Sequence, residues 1–357
     1  MLQSVREECH DHFAASKKRK IQFSDSLKLV AEQSLQTANP QFYVEMCELI
    51  LELQNLLGMN EKASETWFDY GMFLFGQGDY SGGKHALGNA IKGYIKLGHT
   101  VNSFFLGQCH FQMGVINSHL GHFQEAMVSF HKALESKIMF GKGNMSNAVC
   151  RHWLGYLYRQ RRHLEKALQA QTRAMQEMEE DAIDATSGRF RSDSCFELGC
   201  IHHEIGELEK AVSFHQESLF MREEQVVTHF KPKIQSCVHL AVVLYDRSVK
   251  FSRHCIFNEV LNSEIVPLLE KTVTLCKDQS QSGNLRDKFP VIMLAHTDRL
   301  ESIKDILSLA LKLCRSLCSA IGEKDKEANQ KMDTLMSDFK NLLKTLVGDS
   351  HDEQENL

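Results

Sequence analysis

Between residues 64 and 246 one pattern of small and large residues recurs at nearly constant spacing, and few folds can accommodate it. Gly71, Gly114, Gly155 and Gly199 lie 43, 41 and 44 residues apart, and a fifth half-copy, Leu240-Ala241 to Tyr245, follows 42 further on. Twelve residues after each glycine stands a second small residue: Gly83, Ala126, Ala167 or Ala211. Paired small positions at this separation predict two antiparallel helices that cross closely. Between them Gly78, Gly121 and Gly206 mark where the first helix ends in a left-handed cap. Copy three places Arg162 there, at some conformational cost.

Several residues fill the rest of the pattern. They include Trp67, Gly78-Asp79-Tyr80 and Ala90 in copy one, and Phe123, Phe130 and Ala133-Leu134 in copy two. Leu154-Gly155, Tyr158 and Ala174 follow in copy three, and Leu198-Gly199 and Leu219 in copy four. On these residues the chain resembles the tetratricopeptide repeat family. Its long period resembles the subclass seen in kinesin light chains and nephrocystin-like proteins. The resemblance implies an all-α fold, a right-handed α-solenoid of antiparallel helix pairs, and a non-catalytic scaffold or adaptor that binds a peptide or helix of a partner protein.

The flanks fit the same plan. A polar arm or helix with a basic run is expected over 1–23, a degenerate first repeat over 24–63 and the main array over 64–246. Irregular C-terminal repeat and capping helices are expected over 247–347, and an acidic, disordered tail over 348–357. Asn39-Pro40 predicts a helix start ahead of the stripe Phe42, Met46, Leu49, Ile50 and Leu53. With only 4 Pro, long helices are the expectation throughout.

A formal net charge of −5 argues against general nucleic-acid binding. No window reaches the length of apolar chain needed to span a bilayer, and no export leader is apparent at the N-terminus. The 11 cysteines are odd in number and scattered, which fits free thiols in a reducing compartment. A cytoplasmic protein is expected, with the nucleus or a cytoskeletal or ciliary setting as alternatives. Lys17, Lys18, Arg19 and Lys20 form a candidate nuclear-import run, against the simpler reading of a solvated charge cluster.

The first helices of such an array line its concave face. Counted from the repeat, the candidate partner-binding groove comprises Phe68, Met72, Phe75, Phe111, Val115, His152, Tyr156, Arg159, Phe196, Cys200, His203, Val242 and Tyr245. An aromatic lining suits the apolar anchors of an extended peptide or a helix. The alternative is a tightly wound array whose own C-terminal helix fills the groove. Some family members clamp a C-terminal carboxylate. Here the corresponding positions include Glu65, Asp69, Asp193 and Glu197, which would repel one. The asparagine ladder implied by likeness to kinesin light chains is also missing.

No catalytic residues, cofactor or metal ligands are assigned. Gly78 to Gly83-Lys84 has phosphate-loop spacing but continues with His85 in place of Ser or Thr. His202, His203, Cys195 and Cys200 crowd one helix without a CxxC or HxxxH pair, so structural thiols and groove histidines are expected. Cys9-His10-Asp11-His12 is a short metal-like tract, read as an ordinary polar terminus. Two rival functions remain: a regulatory sensor that changes conformation when a peptide binds, and a metal-dependent protein using His203 and its neighbours.

Overall fold

The computed structural model describes residues 17–36, 40–99, 104–136, 145–180, 185–224, 230–251, 259–281, 302–321 and 326–348. Among these residues all regular structure is helical. The chain divides into two compact units near Gly141 and Lys142, within the span expected to form one array.

The first unit contains three helix pairs. They are α1 Lys17–Gln36 with α2 Pro40–Leu56, α3 Asn60–Gly76 with α4 Tyr80–Lys96, and α5 Phe104–His119 with α6 Phe123–Glu135. α2 starts at the expected Pro40, where the missing N–H costs the helix nothing. Tyr43, Met46, Cys47, Ile50 and Leu53 on α2 close a core with Leu27 and Ala31 of α1 and Phe73 of α3. α1 thus packs on α2, and α2 on α3, ahead of the array. The run Lys17 to Lys20 opens α1, but its side chains lie outside the described residues, as do Cys9 to His12 and the tail after Gly348.

The second unit runs through α7 Met145–Gln160, α8 Leu164–Glu180, α9 Ala185–Ile205, α10 Leu208–Glu224 and α11 Phe230–Phe251. A π-helical turn, Leu261–Ile265, then feeds α12 Val266–Gln281, and α13 Ile303–Ile321 and α14 Lys326–Gly348 follow. The fifth first helix, α11, runs on to Phe251. A continuous apolar core joins α10 to α14, with Leu269, Cys276, Leu307, Cys314, Met332 and Phe339 buried in it.

One turn geometry closes four of the pairs. Gly78, Gly121 and Gly206 have φ of 85°, 73° and 91°, and Arg162 occupies the same left-handed region at 61°. In each case the next residue's N–H reaches five residues back. Asp79 N donates to Leu74 O at 2.9 Å, His122 to Asn117 at 2.8 Å, His163 to Tyr158 at 2.9 Å and Glu207 to His202 at 2.9 Å. This bond satisfies a carbonyl that the helix end leaves open. Asp79 also caps α4, accepting from Gly82 N at 2.8 Å.

The small residues work as close-crossing points, but their partners differ from the simplest expectation. Gly83, Ala126, Ala167 and Ala211 are all buried, as the repeat implies. Gly71 touches Gly83 and Leu87. In every copy the glycine seats a side chain sixteen residues on, which is Leu87 for Gly71. A Cβ placed on Gly114 would come within 2.8 Å of the Phe130 ring, one on Gly155 within 2.7 Å of Gln171, and one on Gly199 within 2.7 Å of His215. Each glycine is a socket for a large side chain of the second helix.

Candidate functional site

The inner face can be followed one unit at a time. In the first unit Phe68 and Met72 stand four residues apart on α3 and are half-buried, so each keeps an accessible edge. Phe75 is enclosed: its ring centroid lies 5.6 Å from Tyr80 and 5.3 Å from His119. Phe111 is buried too, 5.7 Å from Phe130, and Val115 is fully closed to solvent.

In the second unit the first helices α7, α9 and α11 contact one another directly, and their facing side chains bond laterally. His152 is fully buried, with Nδ1 3.0 Å from Ser194 Oγ and 3.2 Å from Gln171 Oε1. Arg159 donates through Nε to Glu197 at 2.8 Å and through Nη1 to Glu204 at 3.1 Å. Burial alone would lower the Arg159 pKa, but Glu197, with Cys200 and Glu204, outweighs it and keeps the guanidinium charged. His203 Nε2 meets Asp246 Oδ2 at 2.7 Å. Tyr156, Phe196 and Cys200 are buried, whereas Arg159, His203, Val242 and Tyr245 keep partial exposure.

Of the residues assigned to an open groove, seven are thus enclosed: Phe75, Phe111, Val115, His152, Tyr156, Phe196 and Cys200. In the second unit the reason is the direct packing of one first helix on the next. The residues left accessible are Phe68 and Met72 in the first unit, and Arg159, His203, Val242 and Tyr245 in the second. In the second unit α13 packs on α11, and Val242 and Tyr245 border the core that they share.

The histidines and cysteines sort themselves differently from the one-helix grouping in the sequence. His202 pairs with Glu207 at 2.8 Å and stacks on Phe214, and Cys195 is a buried core thiol. Cys200 instead converges with His215 of α10 and His239 of α11. This cluster draws on three helices, so spacing within one helix gave no sign of it. The available signal was a histidine at the socket position, where other copies carry Leu87, Phe130 and Gln171.

Thiol chemistry in the fold is quiet. Desolvation pushes Cys47, Cys109, Cys276 and Cys314 up to about 12 and Cys237 up to about 11. Such thiols are almost wholly protonated at neutral pH and are poor nucleophiles.

No protein-family model and no characterised protein sequence matches the chain. Solved structures do. BtubC (BKLC) from P. vanneervenii is 16% identical with a TM-score of 0.50, covering 64% of this chain and 90% of that one. The apo form of RapI is 10% identical with a TM-score of 0.57, covering 90% and 99%. The apo form of NprR from B. thuringiensis is 15% identical with a TM-score of 0.55, covering 95% and 93%. At these identities the likeness establishes the fold: a tetratricopeptide-like helical-repeat solenoid of antiparallel pairs. Among the described residues no helix is long and apolar enough to cross a membrane.

Proposed function

We propose that the chain is a non-catalytic protein-interaction module that holds a peptide or helix of a partner protein against the exposed parts of its first helices. Phe68 and Met72 carry the proposal: two large apolar side chains, one helical turn apart on α3 and half-accessible, with Phe68 seated on the core of Ala90, Tyr94, Leu106 and Cys109. Such a pair suits the apolar anchors of a partner helix or strand. The fold is shared with NprR, which is described as a quorum sensor, and this supports ligand recognition on a helical-repeat frame. Raised pKa values at the buried thiols support a structural role for those residues over a nucleophilic one. Free thiols in such number also favour a reducing compartment, the cytosol or nucleus.

The test is affinity capture from cell extract with the wild type, with Phe68→Glu plus Met72→Glu, and with Val242→Glu plus Tyr245→Glu, each checked for helicity and melting. The first double change should remove captured proteins that the wild type holds. Retention of every partner by both variants would exclude the first-helix face. Truncating Phe111 and Phe196 is unsuitable here because both are core side chains, and their loss opens cavities.

A further inference from the structure

The four sockets separate a histidine from its equivalents. Leu87 and Phe130 fill theirs with apolar atoms, and Gln171 is polar but satisfied, donating through Nε2 to His152 O at 2.9 Å. His215 is fully enclosed, and neither of its ring nitrogens has a hydrogen-bond partner. A buried imidazole with two idle nitrogens needs a physical explanation, because nearly all buried polar groups find a partner.

Its surroundings supply one. A ligand atom from each of Cys200, His215 and His239 lies within 4.8 Å of the other two, and Cys200 Sγ is 3.9 Å from His239 Nδ1. Cys200 is buried and His239 half-buried. Phe196 packs edge-on against both imidazoles, with centroids 5.3 Å from His215 and 4.9 Å from His239, and so helps to fix their planes.

We propose that Cys200, His215 and His239 bind one d10 metal cation, Zn2+ or Cu+, through the Cys200 thiolate and one nitrogen of each imidazole. Thiolate and imidazole donors select these ions over the hard cations that prefer oxygen. Metal–sulfur and metal–nitrogen bonds of about 2.3 and 2.0–2.1 Å place ligand atoms about 3.5–3.8 Å apart in a planar set. Closing from within 4.8 Å to that spacing asks for a contraction of about 1 Å. On binding, the Cys200 S–H proton leaves to solvent and the S–metal bond forms. The imidazoles give their lone pairs as neutral donors.

Two arginines stand near the cluster: Arg222, 4.9 Å from the Phe196 ring centroid, and Arg159, whose charge interacts with Cys200. The two arginines do not leave uncompensated charge beside the site. Arg222 pairs with Asp193, and Arg159 pairs with Glu197 and Glu204. One thiolate makes a Cu+ centre neutral with three ligands, whereas Zn2+ would retain positive charge and draw a fourth ligand such as water.

The chain contains its own apolar substitutes for the test. His215→Phe copies Phe130 in the second repeat, and Cys200→Val copies Val115 and Val242 at the equivalent first-helix position. Metal-stripped full-length protein is titrated with Zn2+ in one arm and with Cu+ under reducing, oxygen-free conditions in the other, each against a coloured chelator. Wild type should take up one equivalent more than either variant and melt at a higher temperature with metal, a shift the variants lose. X-ray absorption of the loaded wild type should show sulfur and imidazole ligands, and its coordination number separates the two ions. Absence of uptake and of a melting shift in both arms overturns the site, as does uptake undiminished in both variants. If both variants fail to fold, the wild-type melting shift and absorption spectrum decide.

Discussion

Arg222 Nη2 donates to Asp193 Oδ1 at 2.8 Å with both side chains all but closed to solvent, tying α10 to α9 inside the second unit. Arg222 Nη1 adds bonds to Pro232 O at 2.8 Å and Ser236 Oγ at 2.7 Å, which brings α11 into the same network. Its guanidinium also lies 4.9 Å from the Phe196 ring centroid. Removing one partner strands the other's charge. Arg222→Met should therefore destabilise the second unit by about 3–5 kcal/mol, and adding Asp193→Leu should recover part of the loss. Urea unfolding of the single and double variants measures both. A loss near zero for Arg222→Met would show that the pair is solvated.

Two helical glycines should respond in opposite directions to alanine. Gly88 has open space around its Cβ position, so Gly88→Ala should stabilise by about 0.5–1 kcal/mol through helix propensity alone. Gly114→Ala gains the same propensity but drives a methyl to 2.8 Å from Phe130. The overpacking cost of about 1–3 kcal/mol should win there. Paired thermal melts give the signs, and a stabilised Gly114→Ala would contradict the socket.

The first unit should weaken in mild acid through His110. Burial, reinforced by Lys132, lowers this imidazole from 6.5 to about 4, so between those values the unfolded chain binds a proton that the folded chain refuses. The neutral ring's stability is therefore complete above the unfolded pKa and is lost progressively as pH falls toward the folded one. His110→Gln should flatten the pH dependence across that window, as read by denaturant midpoints at matched pH values. An unchanged slope in the variant would assign the acid sensitivity elsewhere. His215 imposes the same sign on the second unit.

Thiol accessibility gives a graded readout. Eight of the described cysteines are buried and Cys318 is intermediate. Alkylation of native protein followed by peptide mass spectrometry should label Cys318 before Cys47, Cys109, Cys150 or Cys314. Equal labelling of all of them would indicate opening of the cores.

The helix pairs were legible in the sequence because small residues at crossings and left-handed turns have almost no substitutes. Gly71, Gly114, Gly155 and Gly199 set the first helices, Ala126, Ala167 and Ala211 the second, and Arg162 was recognisable as a strained replacement for glycine. Exposure was less legible. Whether Phe111 or Phe196 faces solvent depends on how closely neighbouring helices approach and on the rings around them, and a few degrees of crossing angle decide that without altering the repeat pattern. The cluster at Cys200 escaped notice for a related reason. His215 and His239 reach it from two further helices, and only the histidine at the socket position marks the place.

Partner recognition by the first-helix face is tested most directly by panning a random peptide library against the purified protein, then comparing wild type with Phe68→Glu plus Met72→Glu. Enriched peptides should share apolar anchors and lose at least tenfold in affinity on the double variant, equivalent to about 1.4 kcal/mol or more. Failure to enrich any peptide, or enrichment of peptides that bind the folded variant as tightly as the wild type, would contradict recognition by this face.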